Sequence, residues 1–370
     1  MKKETLLRKP GRRKAVICAL IFTLLGGAAF TAVPKAEDGI VQENETKWFP
    51  GNYVSGGQDN YSPDSEAMQV LEGGDGYLFQ GMYTQITWHE IEETAGTYHW
   101  EKIDDLLDSL PEGKKLAVTL TWLAWKPGVH ACPEDMKENI AEYDGGEKMI
   151  PSSGRWCSTI YMPQTMTRYL AFVKAFADRY DSDERLALVT TSEISYNNEI
   201  KDGQYQEKTA AENAYRLTEL SSYFERTPCG IHGAWWPYRF EDGREEAEAD
   251  ENRFVESVLQ SGCGFGFPDL VGQNTKTYHS SFRDAVLRNA GKWPCWMGVE
   301  YAEYLPERYG ENFPQDMIDS AGLTKTNFIW WRITDITRKE GGKSFYQDVL
   351  PYLRKHQDAG ITKERPVRPD

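Results

Sequence analysis

Two glutamates each close a stretch that carries no other charge. Glu193 ends LALVTTSE, residues 186–193, and Glu300 ends PCWMGVE, residues 294–300. A buried strand finishing on a carboxylate is costly unless the charge meets water, a counter-ion or a ligand. Two such acids facing one cleft can divide acid–base work. One is kept protonated by its surroundings and gives a proton to a leaving oxygen; the other acts as base or nucleophile. Cleaving a glycosidic bond needs that pair of roles. Glu303, in GVEYAEY, is the rival to Glu300 for the second role.

The elements that would hold these acids alternate in type. Short apolar runs predict strands at 47–55, 76–85, 115–122, 186–192, 229–236, 263–272, 295–299 and 327–331. Between them lie amphipathic stretches. WEKIDDLLDSL places Ile103, Leu106, Leu107 and Leu110 on one helical face, and TMTRYLAFVKAFADRY does the same with Leu170, Val173, Phe176 and Tyr180. Eight strands alternating with about eight helices predict a single-domain α/β fold, a (β/α)8 (TIM) barrel over residues 47–357. A doubly wound open sheet is the alternative, but no G-x-G-x-x-G turn or P-loop is found. In a barrel the strand C-termini form the site, so Glu193 on the fourth strand and Glu300 on the seventh face each other across its mouth. The longest irregular piece, 123–162, follows the third strand and is expected to shape a cleft.

Aromatic residues are abundant, with 12 Trp, 20 Tyr and 15 Phe. Flat rings stack on the apolar faces of sugars. Trp88, Trp122, Trp125, Trp235, Trp236 and Trp330 fall at or just after predicted strand ends, and Trp156 lies in the insert. These seven are the expected sugar platforms. Tyr238 and Arg239 after the fifth strand, and Gln273, Asn274 and His279 after the sixth, are candidate hydroxyl binders. His232, in mid-strand, reads as a core residue.

The stretch YTQITWHEIEETAGTYHWEKIDDLLDSL resembles the second-strand signature of clan A glycoside hydrolases, nearest in motif to the family 42 and family 35 β-galactosidase-type enzymes. Trp88, Glu92, Gly96, Tyr98, Trp100, Ile103 and Asp104 fill its places. RYDSDERLALVTTSE is similar to the approach to the acid/base in the same enzymes. The resemblance implies a retaining double displacement with Glu193 as acid/base and Glu300 as nucleophile, and Trp330 as floor of the sugar site. The sequence departs from the clan in two places. Ser192 stands where an Asn usually precedes the acid/base, and no Arg is found near Tyr83–Gln85.

The N-terminus combines a basic segment, MKKETLLRKPGRRK, with the apolar run AVICALIFTLLGGAAFTAV. Residues 1–36 are therefore expected to be an export signal, with an uncleaved membrane anchor as the competing reading. A polar linker at 37–46 and a polar tail at 358–370 would flank the barrel. Removing 1–36 takes away eight Lys/Arg and one Glu, leaving 34 basic against 56 acidic side chains, a net charge of −22. That charge disfavours nucleic acid and anionic lipid as partners. Export also predicts a disulfide between Cys132 and Cys157 across the insert. No CxxC occurs, and HEIEE at 89–93 lacks the second His of a zinc protease, so no metal or other cofactor is expected.

The sequence thus points to an exported glycoside hydrolase acting on a polysaccharide or oligosaccharide, with no stable membrane insertion once the signal is removed. A non-catalytic carbohydrate-binding barrel of the cell envelope is the alternative, and an envelope-assembly protein held by its N-terminal segment a third.

Overall fold

The computed structural model describes residues 46–58, 62–194, 207–233, 236, 244–267, 280–301, 304–306, 312–334 and 341–367. The chain divides into a segment 1–43, outside the described residues, and a body spanning Asn44–Asp370. The body is a (β/α)8 barrel.

Its strands are β1 (Gly51–Gln58), β2 (Gly81–Thr87), β3 (Lys115–Thr121), β4 (Leu186–Glu193), β5 (Cys229–His232), β6 (Gly264–Gly266), β7 (Trp296–Val299) and β8 (Phe328–Arg332). All pair in parallel with their sequence neighbours, and β8 returns to β1. Between β6 and β7 the Phe267 N–H donates to the Trp296 carbonyl (3.1 Å) and the Gly298 N–H to the Phe267 carbonyl (3.3 Å), which closes the barrel. Each strand is followed by a helix: α1 (Glu66–Glu72), α2 (Glu101–Ser109), α3 (Pro163–Tyr180), α4 (Glu207–Arg216), α5 (Arg244–Ser261), α6 (Ser280–Arg288), α7 (Gln315–Thr324) and α8 (Leu350–Lys355). Among the described residues no helix is long and apolar enough to cross a membrane.

Alternation along the strands makes two cores. Outward-facing Val54, Ile86, Leu116, Val118, Val189 and Trp331 join the helix residues Ile103, Leu107, Leu170, Phe172 and Phe176 in one shell. Inward-facing Tyr53, Tyr83, Ala117, Leu188, Trp296, Phe328 and Trp330 fill the barrel itself. Trp296 fits there because β5 and β6 offer glycines. A Cβ on Gly230 or Gly266 would lie 2.3 or 2.6 Å from its ring.

The expected disulfide is not formed: Cys132 and Cys157 are both free, buried thiols. The 123–162 insert is held instead by hydrogen bonds and a hairpin pairing Glu147–Ile150 with Arg155–Ser158. Buried Glu147 accepts from the Ala131 N–H (2.7 Å) and meets His130 Nδ1. The polar C-terminal stretch is tied to the foot of the barrel. Trp48 Nε1 donates to the Lys363 carbonyl (2.7 Å), and Asn327 Nδ2 to that of Thr362 (2.8 Å).

Candidate active site at the barrel mouth

Glu193 owes its direction to a slip in register. Thr190 pairs with Gly230, but three residues later Glu193 pairs with His232, only two residues on. One extra residue on β4 therefore lets Glu193 share the pleat face of His232; an unbroken ladder would have put Ser192 there. His232 faces the barrel interior, where its Nε2 meets Thr119 (3.0 Å) and Thr190 (3.2 Å). Glu193 is thus turned inward, above this layer. A similar slip occurs in β1, where Ser55 pairs with Tyr83 and Gln58 with Gln85, turning Gln58 toward the mouth.

Glu300 follows β7 directly, and Arg332 ends β8. Val299 pairs with Trp331, so the next residue on each strand stands side by side. Arg332 Nη1 lies 3.5 Å from Glu300 Oε2. The guanidinium lies over Gly57, whose φ is +89°; a Cβ there would come within 2.2–2.5 Å of it. Only glycine suits both the backbone and the close approach.

Tyr83 of β2 stands inside the barrel. Its phenol is buried, donates to or accepts from Thr119 Oγ1 (2.9 Å), and stacks on Trp330 with ring centroids 3.9 Å apart. Burial raises its pKa well above the ordinary tyrosine value, and the charges of Glu300 and Glu193 push it further the same way. Beneath them, His232 is held neutral, burial lowering its pKa to about 3. Trp296 Nε1 can only donate, and it donates to His232 Nδ1 (2.9 Å). That fixes the imidazole proton on Nε2, facing the two threonines. The floor of the site is a closed, uncharged hydrogen-bonded layer.

The rim is built by Gln58 and the insert. Gln58 Nε2 donates to the Leu123 carbonyl (2.8 Å), and its Oε1 accepts from the Trp125 N–H (2.6 Å). Half-buried Trp125 carries the Arg155 guanidinium 4.7 Å above its ring. Half-buried Trp156 lies beside His130 on the same insert.

Several expected sugar platforms are core residues. Trp88 packs against Tyr169 and Phe172 of α3 and donates its indole N–H to Glu92. Trp122 follows inward-facing Thr121, so it points outward, edge-on to Tyr169 at 4.9 Å. Trp236 is wedged against Tyr215 and Phe254 in the helical shell. All three are at most 1 % exposed. Trp330 does lie inside the barrel, but it is fully buried and Tyr83 covers one face, so it supports the site from below. Ser192 is buried too, its Oγ accepting from the Thr121 hydroxyl (2.8 Å). Trp235, Tyr238, Arg239, Gln273, Asn274, His279 and Glu303 lie outside the described residues.

The second-strand motif proves structural. Glu92 accepts from Trp88 Nε1 (2.5 Å) and the Gly96 N–H (3.0 Å) and pairs with Arg168 of α3 at 3.5 Å. Tyr98 stacks on Trp100, which packs on Phe172. The motif fastens the turn after β2 to α3. Sequence reasoning missed Arg332 and Gln58, although both stand at strand C-termini, the position that singled out the glutamates. Among the described residues no group of three His, Cys, Asp or Glu could hold a metal ion.

No family model matches the sequence, and no curated protein matches it. Its fold is similar to that of solved structures. One is the catalytic domain of β-amylase from Paenibacillus polymyxa, with a TM-score of 0.53 and 11% identity over 82% of this chain and 99% of that one. Another is an exo-β-1,4-mannosidase from Opitutaceae bacterium strain TAV5, with a TM-score of 0.50 and 12% identity over 86% of this chain and 62% of that one. At that identity the likeness is one of fold, the same (β/α)8 barrel.

Proposed function

We propose that the protein is a glycoside hydrolase that cleaves a polysaccharide or oligosaccharide with retention, Glu193 serving as acid/base and Glu300 as nucleophile. The observation that carries this reading is that two carboxylates, Glu193 at the end of β4 and Glu300 directly after β7, stand at the same C-terminal mouth of the barrel. That the similar folds include a β-amylase and a β-mannosidase supports the same class of substrate.

The roles follow from the surroundings. A guanidinium 3.5 Å from Glu300 favours its charged form, the form in which a nucleophile attacks. Glu300 then adds to the anomeric carbon as Glu193 gives its proton to the departing glycosidic oxygen. The resulting glycosyl ester is opened by water, from which Glu193 takes a proton back, so both acids return to their starting states. Among the described residues, Trp125 and Trp156 are the rim aromatics left to meet sugar. The basic segment and apolar run at the N-terminus support a substrate outside the cytoplasm.

The ion pair between Glu300 and Arg332 also favours a second reading, a barrel that binds carbohydrate without cleaving it. Glu193→Gln separates the two. Assayed against a glycan panel, the enzyme reading expects turnover by the unaltered protein and its loss, with sugar binding kept, in the variant. Binding without turnover by the unaltered protein supports the second reading.

A further inference from the structure

The five cysteines of the body are all buried, but they are not equivalent. Cys229 opens β5 and Cys263 immediately precedes β6. Gly230 pairs with Gly264 in the parallel ladder, so the two cysteines stand side by side one residue earlier. Neighbouring strands lie about 4.8 Å apart, inside the roughly 4.4–6.8 Å between Cα atoms that a disulfide spans. Gly230 and Gly264 face the barrel interior, so both thiols point outward into the same shell. Both also line one pocket at the foot of the barrel, with Thr46, Trp48, Trp293 and Arg365. We propose that Cys229 and Cys263 form a redox-active dithiol, converted to a cross-strand disulfide by an external disulfide such as glutathione disulfide or an oxidised dithiol protein.

The other thiols lack such a setting. Burial pushes Cys157 and Cys295 up to about 12 and raises Cys132 strongly as well. Cys263 instead moves down, chiefly through its hydrogen bond with the Cys229 thiol. The thiolate is the reacting species in disulfide exchange. Cys229 is 6 % exposed and Cys263 is fully buried, which sets the order of events. The Cys229 thiol loses its proton to solvent and attacks one sulfur of the external disulfide, expelling one thiolate. The Cys263 thiol then gives up its proton, attacks Cys229 Sγ as the thiolate and releases the second, and the two expelled thiolates take up the two protons. The two protein thiols are oxidised by two electrons, and the external disulfide is reduced to two thiols.

The test treats the reduced, full chain with glutathione disulfide and maps its peptides without reduction. The expected result is one cross-linked pair, Cys229 with Cys263, about 2 Da lighter than the two reduced peptides and restored by dithiothreitol. In Cys263→Ala, the mixed disulfide on Cys229 should persist. Persistence of that adduct in the unaltered protein, a link between Cys132 and Cys157 in its place, or no reaction would overturn the proposal. Reduced protein alkylated under native conditions gives a second reading that needs no variant. Cys229 should be modified at least about tenfold faster than Cys157 and Cys295, and equal rates contradict it.

Discussion

Glu300 and Arg332 stand side by side at the ends of β7 and β8, Oε2 to Nη1 3.5 Å, with Gly57 of β1 directly beneath the guanidinium. The proposed role of Glu300 as nucleophile makes Arg332 the group that orients it. Arg332→Ala should lower kcat by about 10²-fold with a smaller change in KM, and added guanidinium should restore part of it. Steady-state kinetics with and without guanidinium reads this directly. Equal losses in kcat and stability, with no rescue, would mean that Arg332 only holds the fold.

Gly57 permits that placement. Gly57→Ala adds a Cβ within 2.5 Å of the guanidinium at a φ of +89°, so it should destabilise by about 1–3 kcal/mol and displace Arg332. A loss of kcat beyond what Arg332→Ala already shows should be absent in the double variant. Additive losses would uncouple the two positions.

His232 links stability to pH. Its folded pKa is about 3, against about 6.5 in the unfolded chain. Between these values the unfolded state binds the extra proton, so stability rises with pH across that window and is lost as pH falls through it. The contribution amounts to roughly 1.4 kcal/mol per pH unit. Chemical denaturation of His232→Gln from pH 4 to 7 should show a shallower slope than the unaltered protein. Equal slopes would contradict a neutral, buried imidazole.

The insert depends on Glu147 and is independent of a disulfide between Cys132 and Cys157. Glu147→Ala leaves the Ala131 N–H without its acceptor and should cost about 1–3 kcal/mol locally. Limited proteolysis should then cut within 123–162 before the barrel opens. With Cys229→Ser and Cys263→Ser in place, the protein should melt identically with and without dithiothreitol. A redox-dependent shift in that background, abolished by Cys132→Ser, would restore the original expectation.

The barrel was legible because its signal is periodic. All eight strands fall inside or beside the apolar runs that predict them, and α2 and α3 match their hydrophobic stripes to within two residues. Glu193 and Glu300 were legible as charges at strand ends. The direction of a side chain was not, because it depends on register. Trp122 follows Thr121 by one residue and so turns into the helical shell, and nothing in LAVTLTW announces that. The slip that turns Glu193 inward is likewise a property of β4 against β5, absent from either strand alone. The cysteines show the same limit. Cys132 and Cys157 are close in sequence and bracket a loop, whereas Cys229 and Cys263, 34 positions apart, become neighbours only through strand pairing.

The most direct measurement is proton NMR of the first sugar released from a cleaved glycan, recorded before the anomers equilibrate. If Glu193 and Glu300 work as acid/base and nucleophile through a glycosyl ester, the product should appear first with the configuration of the bond that was broken. First appearance of the opposite anomer would mean that water, activated by one carboxylate, attacks the sugar itself, and would contradict the role given to Glu300.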